Sequence, residues 1–153
     1  MRKVFLLALI VAACAKKEPA PDTTTPAPPP PPPPPPALTA ADIAGTWNGT
    51  AKGEGDTTAT AFTVKSTSDS TSTVTFTKAK LTVAASTKLD ADSLIATSKA
   101  YKDPMLPKGT PNVMFRAVGR MKDGKLVGTT TVMLAAKPDS VVGHSTWEAT
   151  KAP

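Results

Sequence analysis

The 153-residue chain has one cysteine, one histidine and one tyrosine, and its aromatic residues amount to 5%. A single cysteine has no partner within the chain, so a disulfide framework is not available. With His144 as the lone histidine, neither a zinc ligand set nor a Ser-His-Asp arrangement assembles from the sequence. Asp90, Asp92 and Asp123 sit at turn signals and lack the spaced oxygen donors with a distal Glu of a calcium loop. Basic residues are scattered singly with few aromatics between them, which removes support for nucleic-acid binding. No apolar run approaches the roughly 20 residues that a spanning helix needs. The expectation from these absences is a non-enzymatic protein with no metal and no cofactor.

What the chain does have begins at its N-terminus. Arg2 and Lys3 precede an apolar stretch from Val4 to Ala13, which ends on small residues and the lone Cys14 before Lys16 and Lys17. This is the layout of a secretory signal. Val11, Ala12, Ala13 and Cys14 resemble the lipobox of bacterial lipoprotein signal peptides, a branched apolar residue and two small residues before cysteine. The resemblance implies cleavage before Cys14, lipidation of its thiol and usually acylation of the new amino group. Several acyl chains, at about 0.8 kcal/mol per buried CH₂, make a lasting membrane anchor where one chain binds marginally. The implied location is the bacterial cell envelope. Ala15 stands where some enterobacteria place the aspartate that retains lipoproteins in the inner membrane, so the outer membrane is favoured over the inner. Cleavage would remove two of 18 basic residues and leave 16 against 12 acidic ones, a net charge of +4.

Three segments follow: a signal peptide over 1–13, a lipidated cysteine and proline-rich tether over 14–41, and a small domain over 42–153. The tether holds nine consecutive prolines, Pro28 to Pro36. Proline fixes φ and lacks the N–H, so the run packs no core and is expected to extend as polyproline II, about 3.1 Å per residue and about 28 Å in all.

The domain reads as all-β. Threonine and serine abound, helical periodicity is absent and turn signals recur every ten to fifteen residues. Strands are expected over 45–53, 57–66 and 70–78, with a turn at Ser68, Asp69 and Ser70. The apolar parity then shifts between Phe76 and Leu81 across Lys78 to Lys80, which predicts a bulge or a turn. Later strands are expected over 93–101, 113–121, 125–135 and 140–150, with Asp123-Gly124 as the strongest hairpin signal. A weak repeat, DSLIATS at Asp92, DGKLVGTT at Asp123 and DSVVGHST at Asp139, suggests one turn feeding one strand in each copy. Seven or eight short antiparallel strands in order suit an up-and-down meander closed, or nearly closed, into a barrel; a flattened sandwich is the alternative.

Gly45, Thr46 and Trp47 resemble the G-x-W of lipocalin-like barrels, and Trp147 lies in a comparable place on the last strand. In lipocalins that first tryptophan packs across the closed end of the barrel and a basic residue from a late strand often stacks on it; Lys151 lies near the chain end. The resemblance implies a barrel and inclines the reading toward ligand binding.

Alternation places many small residues (Gly45, Gly49, Ala96, Ala100, Gly119 and Gly128 among them) on the same side as Trp47, Phe115, Leu126 and Trp147. Small inward residues mean either tightly coiled strands or free volume. The free-volume reading is a small apolar pocket bordered by Trp47, Phe62, Phe115 and Trp147. The segment 101–112, with three prolines and with Met105 and Leu106, is the longest irregular stretch of the domain and a candidate contact loop or lid. By the same alternation His144 faces outward. The expected function is a binding or carrier module for a small apolar ligand, anchored to the membrane through its lipid. The alternative is a protein-contact module, either a structural envelope component or a hydrolase inhibitor.

Overall fold

The computed structural model describes residues 29–32, 37–67 and 70–153. The signal peptide, Cys14 and most of the tether lie outside them. By internal contacts the chain divides into two units, Met1–Pro33 and Pro34–Pro153. In the first, residues 29–32 are exposed and carry no regular structure.

The second unit opens with one turn of helix, α1 (Ala40–Ile43), which the sequence reading assigned in part to the tether. Its start is fixed by a reciprocal cap. The Asp42 backbone N–H donates to the Thr39 hydroxyl at 3.4 Å, and the Thr39 N–H donates to the Asp42 carboxylate at 2.9 Å. Just ahead of it, the Leu38 N–H donates to the Ala91 carbonyl at 3.0 Å, which ties this entry segment to a hairpin turn.

Eight strands follow: β1 (Gly45–Gly53), β2 (Thr60–Ser66), β3 (Thr71–Phe76), β4 (Leu81–Asp90), β5 (Ser93–Ser98), β6 (Val113–Lys122), β7 (Lys125–Leu134) and β8 (Lys137–Lys151). Each pairs antiparallel with its neighbour in sequence, and β1 also pairs with β8, so the sheet is a closed barrel. That ladder, running from Trp47 opposite Lys151 to Gly53 opposite Ser145, decides the count at eight and removes the sandwich alternative.

Burial alternates most regularly on β1 and β4. Trp47, Phe62, Val74, Val83, Phe115 and Leu126 face inward and are buried, whereas Asn48, Thr50 and Lys52 on β1 and Arg116 and Arg120 on β6 face solvent. Outside, polar partners meet across strands: Thr63 donates to the Asn48 side chain at 3.1 Å, and the Thr75 and Thr82 hydroxyls are 3.2 Å apart.

Several local expectations shift. The parity change between Phe76 and Leu81 is a turn over Thr77 to Lys80, with Lys80 at φ +49°, so both residues face inward as register partners. Of the turn at Ser68, Asp69 and Ser70, the first two lie outside the described residues; Ser70 has φ +67°. Strand β5 ends at Ser98, and Tyr101 only bridges Val113, so Ala100 is exposed and not inward. Gly45, at the mouth of β1, is exposed too. Asp92 and Asp123 do precede β5 and β7, but Asp139 lies inside β8. There the register with β7 slips after Val132, leaving Val142 out of the pairing. Asp123 and Gly124 form the β6–β7 hairpin turn with φ +52° and +76°, the sign at both centres that a type I′ turn demands.

Candidate functional site

The barrel is not filled. A cavity of about 170 Å³ lies along its interior. All four aromatic residues singled out from the sequence, Trp47, Phe62, Phe115 and Trp147, line it.

They do so from different heights. Trp47, 2% exposed, lies at the end of the barrel where α1 sits. Its indole N–H donates to the Ile43 carbonyl at 2.8 Å, and Ile43 itself, buried, contributes to the cavity wall. From the neighbouring strand, Lys151 carries its Nζ to 5.7 Å from the centre of the Trp47 ring and 3.4 Å from the Asp42 carbonyl, to which it donates. One turn of helix, one tryptophan and one lysine therefore stop this end.

Phe62 and Trp147 meet edge to face, with centroids 6.4 Å apart and planes at 82°. Two glycines make room for the second indole. A Cβ on Gly119 would fall 2.5 Å from Trp147 Cη2, and one on Gly128 would fall 2.6 Å from Cζ2. The indole Nε1 of Trp147 is, among the described residues, the buried side-chain polar atom that has no hydrogen-bond partner.

Phe115 belongs with a residue that the sequence reading passed over. Tyr101 lies edge to face with it at 6.2 Å and 70°. The Phe115 backbone N–H donates to the Ser98 hydroxyl at 2.8 Å, which anchors this corner of the wall. Burial raises the Tyr101 phenol well above its ordinary value of 10.0, and the nearby Asp103 carboxylate raises it further.

The loop from 99 to 112 thus reaches the cavity through Tyr101 and Asp103. Met105 is 55% exposed and Leu106 half-buried, and neither lines the cavity. The loop is held by its own bonds: Asp103 Oδ1 accepts from the Met105 N–H at 2.9 Å, and Thr110 donates from its hydroxyl to the Pro107 carbonyl at 2.7 Å.

The remaining wall is apolar apart from Ser66, Ser72, Thr87, Thr130 and Ser145, none of which was anticipated. The signal that marks Ser66, Ser72 and Thr87 is parity: each stands two residues from an inward apolar residue, namely Val64, Val74 and Ala85. His144 is exposed on the outer face, with its Nδ1 3.3 Å from the Thr131 hydroxyl. Among the described residues no three His, Cys, Asp or Glu side chains gather into a group that would hold a metal ion. The arrangement offers enclosure, aromatic edges and a few hydroxyls, the elements of a site that holds a small molecule by shape. No family model, curated protein or solved structure matches the chain.

Proposed function

We propose that this chain is an envelope lipoprotein, anchored through Cys14, whose lipocalin-like barrel is a non-enzymatic binding or carrier module for a small apolar ligand. The observation that carries the reading is the cavity of about 170 Å³ inside a barrel of a size that side chains alone can fill. An apolar cavity of about 150 Å³ accepts a guest the size of benzene, so the volume is sufficient for a compact apolar molecule.

Two further features support it. Lys151 over Trp47 closes one end in the manner the lipocalin resemblance implies. The alternation is apolar inward and polar outward, the reverse of a membrane-spanning barrel, which faces lipid with an apolar band. Attachment to the membrane then rests on the lipid at Cys14, and the proline run serves as the spacer between anchor and barrel. Within the described residues no helix is long and apolar enough to cross a membrane.

Native mass spectrometry of the full chain, isolated from bacterial membranes in mild detergent, tests the reading. A small molecule released on unfolding, and lost in Ala117→Leu, which fills the cavity from its wall, is the expected result. A clean apo mass with no uptake from a lipid extract would overturn it in favour of a protein-contact module.

A further inference from the structure

We propose that the cavity selects neutral molecules whose apolar body ends in a hydrogen-bond-accepting oxygen, such as a ketone or ester, and that Ser66, Ser72 and Thr87 hold that oxygen. The inference rests on the binding reading above and names the ligand class.

On three adjacent strands the inward residues follow one order. Strand β2 runs Phe62, Val64, Ser66; β3, read the other way, runs Phe76, Val74, Ser72; β4 runs Leu81, Val83, Ala85, Thr87, with Thr87 one inward position beyond Ser72. Each strand changes from apolar to hydroxyl at the same end of the barrel, the one that α1 stops. Ser66 and Ser72 are register partners, and the Ser72 and Thr87 oxygens are 3.2 Å apart. All three residues line the cavity.

Ser72 and Thr87 are each 7% exposed, so their hydroxyls sit where water competes little. Their mutual bond uses one of two protons and leaves the other, together with that of Ser66, to donate elsewhere. Replacing both partners of a buried hydrogen bond by apolar groups of like shape can be nearly neutral for folding, so the sheet does not depend on the polarity of this pair. Ser98, the other buried hydroxyl residue, differs in that it accepts the Phe115 N–H at 2.8 Å. The Ser72 and Thr87 pair therefore leaves one donor that the fold itself does not spend.

Charge narrows the class. Among the residues that line the cavity Asp103 is the only charged one, and it is negative. A carboxylate ligand would be buried with no cation to pair it and with a like charge on the wall. A neutral oxygen needs only the hydroxyls.

Three probes of nearly identical shape separate these properties: cyclopentyl methyl ketone, isopropylcyclopentane and cyclopentanecarboxylate. Each is titrated calorimetrically into the full chain at pH 7 and into Ser72→Ala/Thr87→Val. The expected result is that the ratio of hydrocarbon Kd to ketone Kd falls about tenfold in the double variant, the effect of one buried hydrogen bond. Taking this ratio cancels the different cost of removing each probe from water. Ser66→Ala, at a half-buried position, lowers the ratio on its own and stands in should the double variant misfold. The carbonyl stretch of the bound ketone should also lie at lower frequency in the parent chain than in the variant. An unchanged ratio, or a carboxylate that binds as tightly as the ketone, overturns this inference while hydrocarbon binding upholds the carrier reading. If neither ketone nor hydrocarbon binds, both fall together.

Discussion

Lys151 and Trp47 are register partners on β8 and β1, and the ammonium of one lies 5.7 Å from the ring centre of the other. The contact joins the last strand to the first across the closure of the barrel and sits directly above the helical turn that stops its end. It joins an exposed ammonium to a buried indole, so its worth is that of a surface cation–π pair together with the bond to the Asp42 carbonyl.

Replacing Lys151 by alanine should lower stability by about 1 kcal/mol. Lys151→Met, which keeps the stem over the ring, should recover part of that loss. Urea midpoints of the three chains measure it, and equal midpoints for parent and alanine variant would count against the contact.

Acid should loosen the same end. The Thr39 hydroxyl and then the Thr39 backbone N–H hold the Asp42 carboxyl below its ordinary value of 3.8. A carboxyl depressed in the folded state contributes stability that is present above the unfolded value and is lost as pH falls through the folded one. The difference in urea midpoint between the parent and Asp42→Asn should therefore be constant above about pH 5 and close below about pH 3. A difference independent of pH would contradict the cap.

Alkali should act through Tyr101, the single tyrosine. Burial, then Asp103, raises its phenol, so the folded chain resists ionisation where the unfolded chain does not. For a group whose folded value is raised, the contribution is complete below the unfolded value of 10.0 and diminishes as pH rises toward the folded one. Absorbance of tyrosinate should stay absent at pH 10.5 until denaturant is added, and Asp103→Asn should bring its appearance to lower pH. Half-ionisation near pH 10 in the folded chain would show that the ring is not enclosed.

Gly128→Ala should destabilise by about 1–3 kcal/mol, the usual cost of overpacking. The new methyl group meets Trp147 on one side and the Val118 carbonyl on the other, and the latter, being backbone, yields little. Thermal unfolding measures the loss, and fluorescence from the displaced indole should shift with it. A melting temperature equal to the parent's would mean that Trp147 packs elsewhere.

The β4–β5 turn can be improved. Ala91 holds φ +52° in the two-residue connection between Asp90 and Ser93, a region where Cβ is a hindrance. Ala91→Gly should raise stability by about 0.5–1 kcal/mol after the added freedom of the unfolded chain is counted. A lower melting temperature would contradict the left-handed geometry.

The parts of this fold that were legible in the sequence are those where apolar residues alternate with polar ones against few competitors. Trp47 is flanked by Thr46 and Asn48, so its direction was plain, and Asp123-Gly124 has the residues that a tight hairpin requires. The strands rich in threonine and serine were harder. A hydroxyl residue satisfies either face of a sheet, so Ser66, Ser72 and Thr87 carry no direction of their own, and only the apolar residues two positions away reveal that they point inward. Helix α1 was missed because Leu38 to Ile43 follows the prolines and was divided between tether and domain, although Thr39 and Asp42 carry the capping pattern. The slip at Val142 depends on how β7 and β8 meet, a relation between segments that neither contains alone. For the same reason the partnership of Phe115 with Tyr101 became visible only once the loop was seen to fold back.

The pairing of β1 with β8 also sets an order on synthesis. Every other ladder joins neighbours in sequence and can form as the chain emerges, but β1 must wait for the fifteen residues of β8 before its second edge is covered. A chain that stops before Lys137 would carry two open edges, on β1 and on β7, with their backbone groups unpaired and the apolar interior exposed to water. Such a truncated product is a substrate for aggregation or proteolysis. Strand β8 is thus the seal of the barrel, and the interior stays open to water until that strand is in place.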